Sequence, residues 1–183
     1  MARSLLGMCL VRQWQGERIA GIIIETEAYR GEEDLACHAK SGRTQRNAVM
    51  YGSAGHAYVY FTYGMHWCFN AVTGAEGFPA AVLIRAIWPK EGLEFMQTRR
   101  GKFPKQQWCN GPAKLCRTLA IDGSLNGNSL CTQDSELWIE AWLPVEDKYV
   151  TKSPRVGIQS VPEPWRSMPW RFLTTLPVET IND

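Results

Sequence analysis

Along the chain, apolar positions come in short runs at strand spacing, and only two stretches read as helix. Met8 to Arg12 predicts a strand, followed by a turn at Gln15-Gly16. Arg18 to Tyr29 predicts a second strand, with the β-branched run Ile22-Ile23-Ile24 in its middle. Period-two geometry sets Ile23, Glu25, Glu27 and Tyr29 on one face, so an apolar strand ends in two carboxylates and a tyrosine. Gly31 to Gly55 is polar and aperiodic, a long loop of the kind that often carries function. Ala57 to Tyr63 (AYVYFTY) predicts a strand, and His66 to Val72 its hairpin partner across Gly64-Met65. Tyr58, Tyr60 and Thr62 share one face of it. Val59, Phe61 and Tyr63 share the other, which puts Tyr63 away from whatever Tyr60 faces.

Ala80 to Ile87 predicts a buried strand with Arg85 near its end. Lys90 to Arg100 predicts a helix, and a second starts at Pro112, its proline in the tolerated first turn, and runs to Ala120. Leu137 to Trp142 and Arg171 to Thr174 predict further strands. Strands dominate and hairpins join several of them. The expected fold class is α+β, a single domain over residues 1–183 built on a mainly antiparallel curved sheet with few helices.

Composition fits that picture. A chain of 183 residues, 45% hydrophobic and 21% charged, is large enough for one well-buried core. The early apolar run Leu5 to Val11 is too short to span a bilayer, and no small-residue cleavage site follows it before Arg12 and Trp14. An intracellular chain with no membrane partner is expected. The six cysteines, at 9, 37, 68, 109, 116 and 131, include no Cys-x-x-Cys pair, so reduced and mostly buried thiols are expected in place of a zinc knuckle.

The net charge of +2 says little, but its distribution says more. No acidic residue lies between Asp34 and Glu76, a stretch holding Lys40, Arg43, Arg46 and all three histidines. None lies between Glu94 and Asp122, where Arg99, Arg100, Lys102, Lys105, Lys114 and Arg117 fall. Two acid-free basic segments suit an anion-facing surface, although such segments are also ordinary solvated faces.

The common nucleophile and phosphate-binding motifs are missing: no Gly-x-Ser-x-Gly, no P-loop, no dinucleotide fingerprint, no His-Glu-x-x-His. Cys37 and His38 are adjacent and point different ways on any regular element, which weakens a Cys-His pair. Carboxylate, tyrosine, histidine and water remain as the chemistry.

The segment ETEAYRGEEDLACH (Glu25 to His38) resembles the alkyladenine (3-methyladenine) DNA glycosylase family of animal and bacterial type. The resemblance continues in order through SGRTQRN (Ser41 to Asn47), YVYFTYGMHWCFN (Tyr58 to Asn70), VLIRAIWPKEG (Val82 to Gly92), NGPAKLCRTLAI (Asn110 to Ile121), SPRVGI (Ser153 to Ile158) and PWRF (Pro169 to Phe172). It implies one mixed domain without a helix-hairpin-helix element, no metal and no cofactor. It also implies removal of alkylated purines such as 3-methyladenine and 7-methylguanine from double-stranded DNA, with hypoxanthine and ethenoadenine taken by some members. A monomer is expected.

Residue by residue, the resemblance makes Glu27 the general base that activates water. It makes Tyr29, His38, Tyr60 and Asn70 the pocket for the flipped base, with Tyr29 and Tyr60 as its aromatic walls. Tyr63, assisted by Met65, matches the residue that enters the base stack, and its place before Gly64 at a hairpin tip supports this independently. Arg85, Arg43 and Arg46 are the DNA-contact candidates, although the strand context of Arg85 also permits a structural ion pair. Arg30 and His66-Trp67 depart from the family pattern, and the short N-terminus suits a bacterial member. Two other readings stay open: a DNA-binding protein that has lost activity, and a β-rich module using Glu27 in unrelated hydrolysis.

Overall fold

The computed structural model describes residues 1–175; the last residues of the expected domain lie outside it. Its framework is an eight-stranded sheet in which every pairing is antiparallel. In chain order the strands are β1 (Cys9–Trp14), β2 (Glu17–Arg30), β3 (Ala57–Thr62), β4 (His66–Val72), β5 (Ala80–Glu91), β6 (Leu137–Glu140), β7 (Val150–Ser153) and β8 (Arg171–Thr174). The main path is β3-β4-β5-β2-β1-β6. The long β2 holds β5 along one edge. Its other edge is shared, β1 taking the first half and β8, with β7 beyond it, the second.

Two α-helices, α1 (Leu93–Arg100) and α2 (Pro112–Thr118), cover one face of the sheet. Met96, Leu115 and Cys116 from them, with Leu119 just after α2, bury against Ile23, Phe69, Ile84 and Ile87, making the main core. Burial of this kind stabilises by about 25 cal/mol per Å² of apolar surface. The opposite face carries two smaller clusters. Cys9, Val11, Ala20, Ile22 and Trp138 lie at one end, and Cys37, Met50, Tyr51, Tyr58, Val72 and Ala81 at the other.

Several elements differ from the sequence expectation. The helix expected from Lys90 starts at Leu93, because β5 continues through Lys90 and Glu91 to stay paired with Ala20 of β2. The strand β7 has too little alternation to stand out, its four residues being half exposed. Most consequential is a β-bulge in β2. Ile23 faces Ile87, yet Glu25 faces Ala86, so Ile24 is an extra residue opposite one step of β5. The bulge breaks the period. Ile23 points to the helix-covered core, whereas Glu25, Glu27 and Tyr29 turn to the other face. The expected single face from Ile23 to Tyr29 is therefore wrong at its first member.

Candidate active site

Beyond the bulge, β2 joins a row of side chains crossing the sheet. Tyr58 pairs with Asn70, Asn70 with Leu83, Leu83 with Glu27, and Glu27 with Arg171. Cross-strand neighbours share a face, so residues from β3, β4, β5 and β2 converge on one floor. Above it lies a cavity of about 270 Å³, lined among others by Tyr29, His38, Met50, Tyr58, Tyr60, Asn70, Arg85 and Val156. That size suits one planar heterocycle, at the low end for ligand pockets.

Its walls are aromatic. Tyr58 and Tyr60 stand with ring centroids 5.3 Å apart, and the His38 ring meets Tyr60 edge-on at 4.5 Å. His38 Nδ1 lies 2.9 Å from the Tyr58 hydroxyl oxygen. Partial burial, followed by the cationic neighbours Arg46 and Lys40, lowers the His38 pKa below the ordinary histidine value. His38 is thus neutral at pH 7, with an edge open to solvent. Burial raises the Tyr29 and Tyr60 phenols, the nearby Glu27 charge adding to the effect at Tyr29, so both are hydrogen-bond donors at any working pH. Asn70 is buried and donates to the Tyr58 carbonyl at 3.0 Å.

Glu27 is fully buried and lies behind the cavity wall, not in it. Its Oε1 accepts the Val156 amide at 2.7 Å and sits 3.4 Å from Arg85 Nη1. Its Oε2 accepts the Tyr29 hydroxyl at 2.8 Å. Tyr29 is therefore both a cavity wall and a direct partner of the carboxylate. Arg85 stands in the wall and not on the outer surface, with its Nε 2.8 Å from Glu25. Arg171 binds the same Glu25 oxygen at 2.6 Å. The ion pair that the strand context of Arg85 permits is therefore present, with both Glu25 and Glu27, while the side chain still lines the cavity. Two carboxylates and two guanidinium groups so balance one another beneath the site.

Arg43 and Arg46 are exposed on the loop between β2 and β3. Arg46 donates to the Phe61 carbonyl at 3.0 Å and lies over the Tyr60 ring; Arg43 lies over Tyr51. The β3–β4 hairpin projects beside the cavity. Tyr63 and Met65 at its tip are 85% and 67% exposed. Tyr63 is not a strand residue. It takes φ +51 and Gly64 φ +66, and the Met65 amide bonds the Thr62 carbonyl. Two central residues with positive φ match a type I′ turn. That turn swings Tyr63 out of strand alternation, so it borders the cavity rim, contrary to the face expected from the sequence. Of the departures, Trp67 meets the Phe61 ring at a tilt, centroids 4.8 Å apart, and packs against Gly123, bracing the hairpin, while Arg30 lies over Phe78.

Sequence reading passed over Tyr58, although it alternates with Tyr60, and also Asp34, Arg155 and Val156. The last two lie in SPRVGI, far from the carboxylates in the chain, and only the fold shows that Val156 meets Glu27 and Arg155 meets Asp34. Burial pushes the Cys37 thiol up to about 11, which leaves it unreactive as a nucleophile.

A family model for methylpurine-DNA glycosylase matches residues 1–176. A protein of Carboxydothermus hydrogenoformans named "Putative 3-methyladenine DNA glycosylase" is 47% identical over 172 residues, covering 94% of this chain and 87% of its own. Proteins with the same name from Methanocella arvoryzae and Chlamydia abortus are 49% and 47% identical, each covering 94% of this chain and 84% and 90% of their own. The match over residues 1–176 and these relatives show that the protein belongs to the methylpurine-DNA glycosylase family.

Proposed function

We propose that this protein flips an alkylated purine out of duplex DNA and hydrolyses its N-glycosidic bond with a water activated by Glu27. The observation that carries the reading is a wholly buried carboxylate held by three donors directly under an aromatic cavity. A carboxylate offers about four lone-pair sites, so one is left for a water. The water oxygen attacks the anomeric carbon as the bond to the purine breaks. The purine leaves with the bonding electrons, and the water proton passes to Glu27. A purine methylated at N3 or N7 is cationic and departs neutral, with no acid required. The Glu27 charge also stabilises the cationic sugar of the transition state.

Before the reaction, the flipped base lies among Tyr29, His38 and Tyr60. Their π faces replace lost stacking and attract a cationic base through the ring quadrupole. Asn70 crowds the floor against a purine with an extra exocyclic amine. Exposed Arg43 and Arg46 meet backbone phosphates, and Tyr63 with Met65 fills the gap in the stack. Substrates are 3-methyladenine and 7-methylguanine, with neutral hypoxanthine and ethenoadenine slower because their departure asks for an acid. The enzyme acts as an intracellular monomer on double-stranded DNA. Among the described residues, no helix is long and apolar enough to cross a membrane.

Release of free methylated purine from an alkylated duplex tests the reading; intact strands without base loss at stoichiometric enzyme would refute it. Two further results are expected. No three His, Cys, Asp or Glu side chains among the described residues converge as metal ligands, so excision in excess EDTA should equal that of untreated enzyme. Loss on chelation with recovery on added zinc or magnesium would contradict this. The second concerns His38. Its lowered pKa moves its protonation below the usual histidine range, so the rate should show no His38 inflection between pH 6 and 8. Wild type and His38→Gln should give parallel pH profiles over that window; an inflection near pH 6.5 lost only in the variant would assign His38 a proton-transfer role.

A further inference from the structure

We propose that Asp34 and Arg155 act as a positioning pair that aligns the Glu27 carboxylate and the Tyr29 ring for base removal, an inference that rests on the glycosylase reading above. The two residues are 121 positions apart in the chain and meet with both side chains fully out of solvent. The contact is two-pronged: Arg155 Nη1 to Asp34 Oδ2 at 2.6 Å and Nη2 to Oδ1 at 2.8 Å. Such a fork fixes both distance and orientation.

From that anchor the guanidinium reaches the site twice. Its Cζ lies 4.7 Å from the Tyr29 ring centre on one contact and 5.0 Å from that of Trp170 on another. Its Nη1 also donates to the Ala28 carbonyl at 2.9 Å, between Glu27 and Tyr29 in the chain. The next residue along, Val156, supplies the amide that binds Glu27 Oε1. Asp34 meanwhile accepts the Arg30 and Ala36 amides, setting the course of the loop that leads to His38. One ion pair so ties together the base, its tyrosine partner, the amide on the base and the start of the pocket loop.

A buried ion pair is a poor way to stabilise a fold, because desolvation offsets the attraction. What it does well is hold geometry, and here the Arg155 Nε is left buried without a partner, so the group is oriented by the carboxylate and the rings, not by satisfying every donor. A displacement of about 1 Å at a reacting group can cost 10²-fold in rate.

The test is Arg155→Lys, which keeps a charge for Asp34 but loses the fork and the guanidinium over the Tyr29 ring. Single-turnover excision is measured against enzyme concentration, with thermal melting as the check on folding. The maximal rate should fall about 10- to 100-fold while the half-saturating concentration stays within about threefold. Because the pair acts through Glu27, the same change in a Glu27→Gln background should add little further loss. An unchanged maximal rate, or equal loss in both backgrounds, overturns the proposal. If Arg155→Lys does not fold, Asp34→Asn, which keeps the shape and one acceptor, carries the same expectation; unfolding of both assigns the pair to stability and also overturns it. Failure of the glycosylase reading shows separately, as absence of base release by the wild type.

Discussion

Glu27→Gln should lower single-turnover excision of a methylated purine by at least about 10²-fold, the lower end of what general base catalysis supplies. The substitution suits the site. Glutamine has the same shape, its oxygen can keep the Val156 amide and Arg85, and its NH₂ can face the Tyr29 hydroxyl, which rotates to accept. Arg85 retains Glu25 as its partner at 2.8 Å. The fold and the cavity walls should therefore survive, and binding to undamaged duplex, carried by exposed arginines, should change little. What disappears is the negative charge beneath the anomeric carbon and the acceptor for the water proton. The loss should fall on the maximal rate and not on half-saturation. Near-normal excision by the folded variant would remove Glu27 from the chemistry and favour a reaction driven by base binding alone.

How much of this could be read from the chain depends on the range of the interaction that decides it. The β3–β4 hairpin, the turn at Gln15-Gly16, the helix at Pro112 and the gathering of Glu25, Glu27 and Tyr29 follow from local pattern, and the structure has each of them. The turn at Gln15-Gly16 even shows positive φ at both residues. The bulge at Ile24 was not legible, since nothing in Ile22-Ile23-Ile24 says which isoleucine lacks a partner; the register with β5 decides that. Lys90 and Glu91 look helical by propensity, yet pairing with β2 holds them extended. Alternation extends the β3 strand through Tyr63 because it does not record a left-handed turn. Arg85 has the same sequence context with or without an ionic partner, and only the approach of Glu25 and Glu27 shows the pair. The Asp34–Arg155 pair joins segments 121 positions apart and had no local trace at all.

Tyr63→Ala should weaken excision from a paired duplex by about 1–3 kcal/mol, the worth of stacking one base on an aromatic ring. A bulky residue at φ +51 is costly, because left-handed backbone crowds its Cβ against the following carbonyl. An 85% exposed tyrosine gains no core packing in return. The type I′ geometry of the hairpin requires this backbone, and the turn aims an aromatic ring outward at the cavity rim. Inserted in the stack, the ring replaces the extruded nucleotide and blocks its return. The penalty in the variant should then depend on how much stacking the DNA itself loses. With the same lesion mispaired, extrusion costs less and the deficit should shrink. Glu27→Gln should show no such relief, because water attack is needed in either context. Single-turnover rates for both variants, on one lesion in paired and mispaired duplexes, separate the two roles. An equal deficit for Tyr63→Ala in both contexts would place the ring in base binding at the rim, where it also stands, and not in the stack.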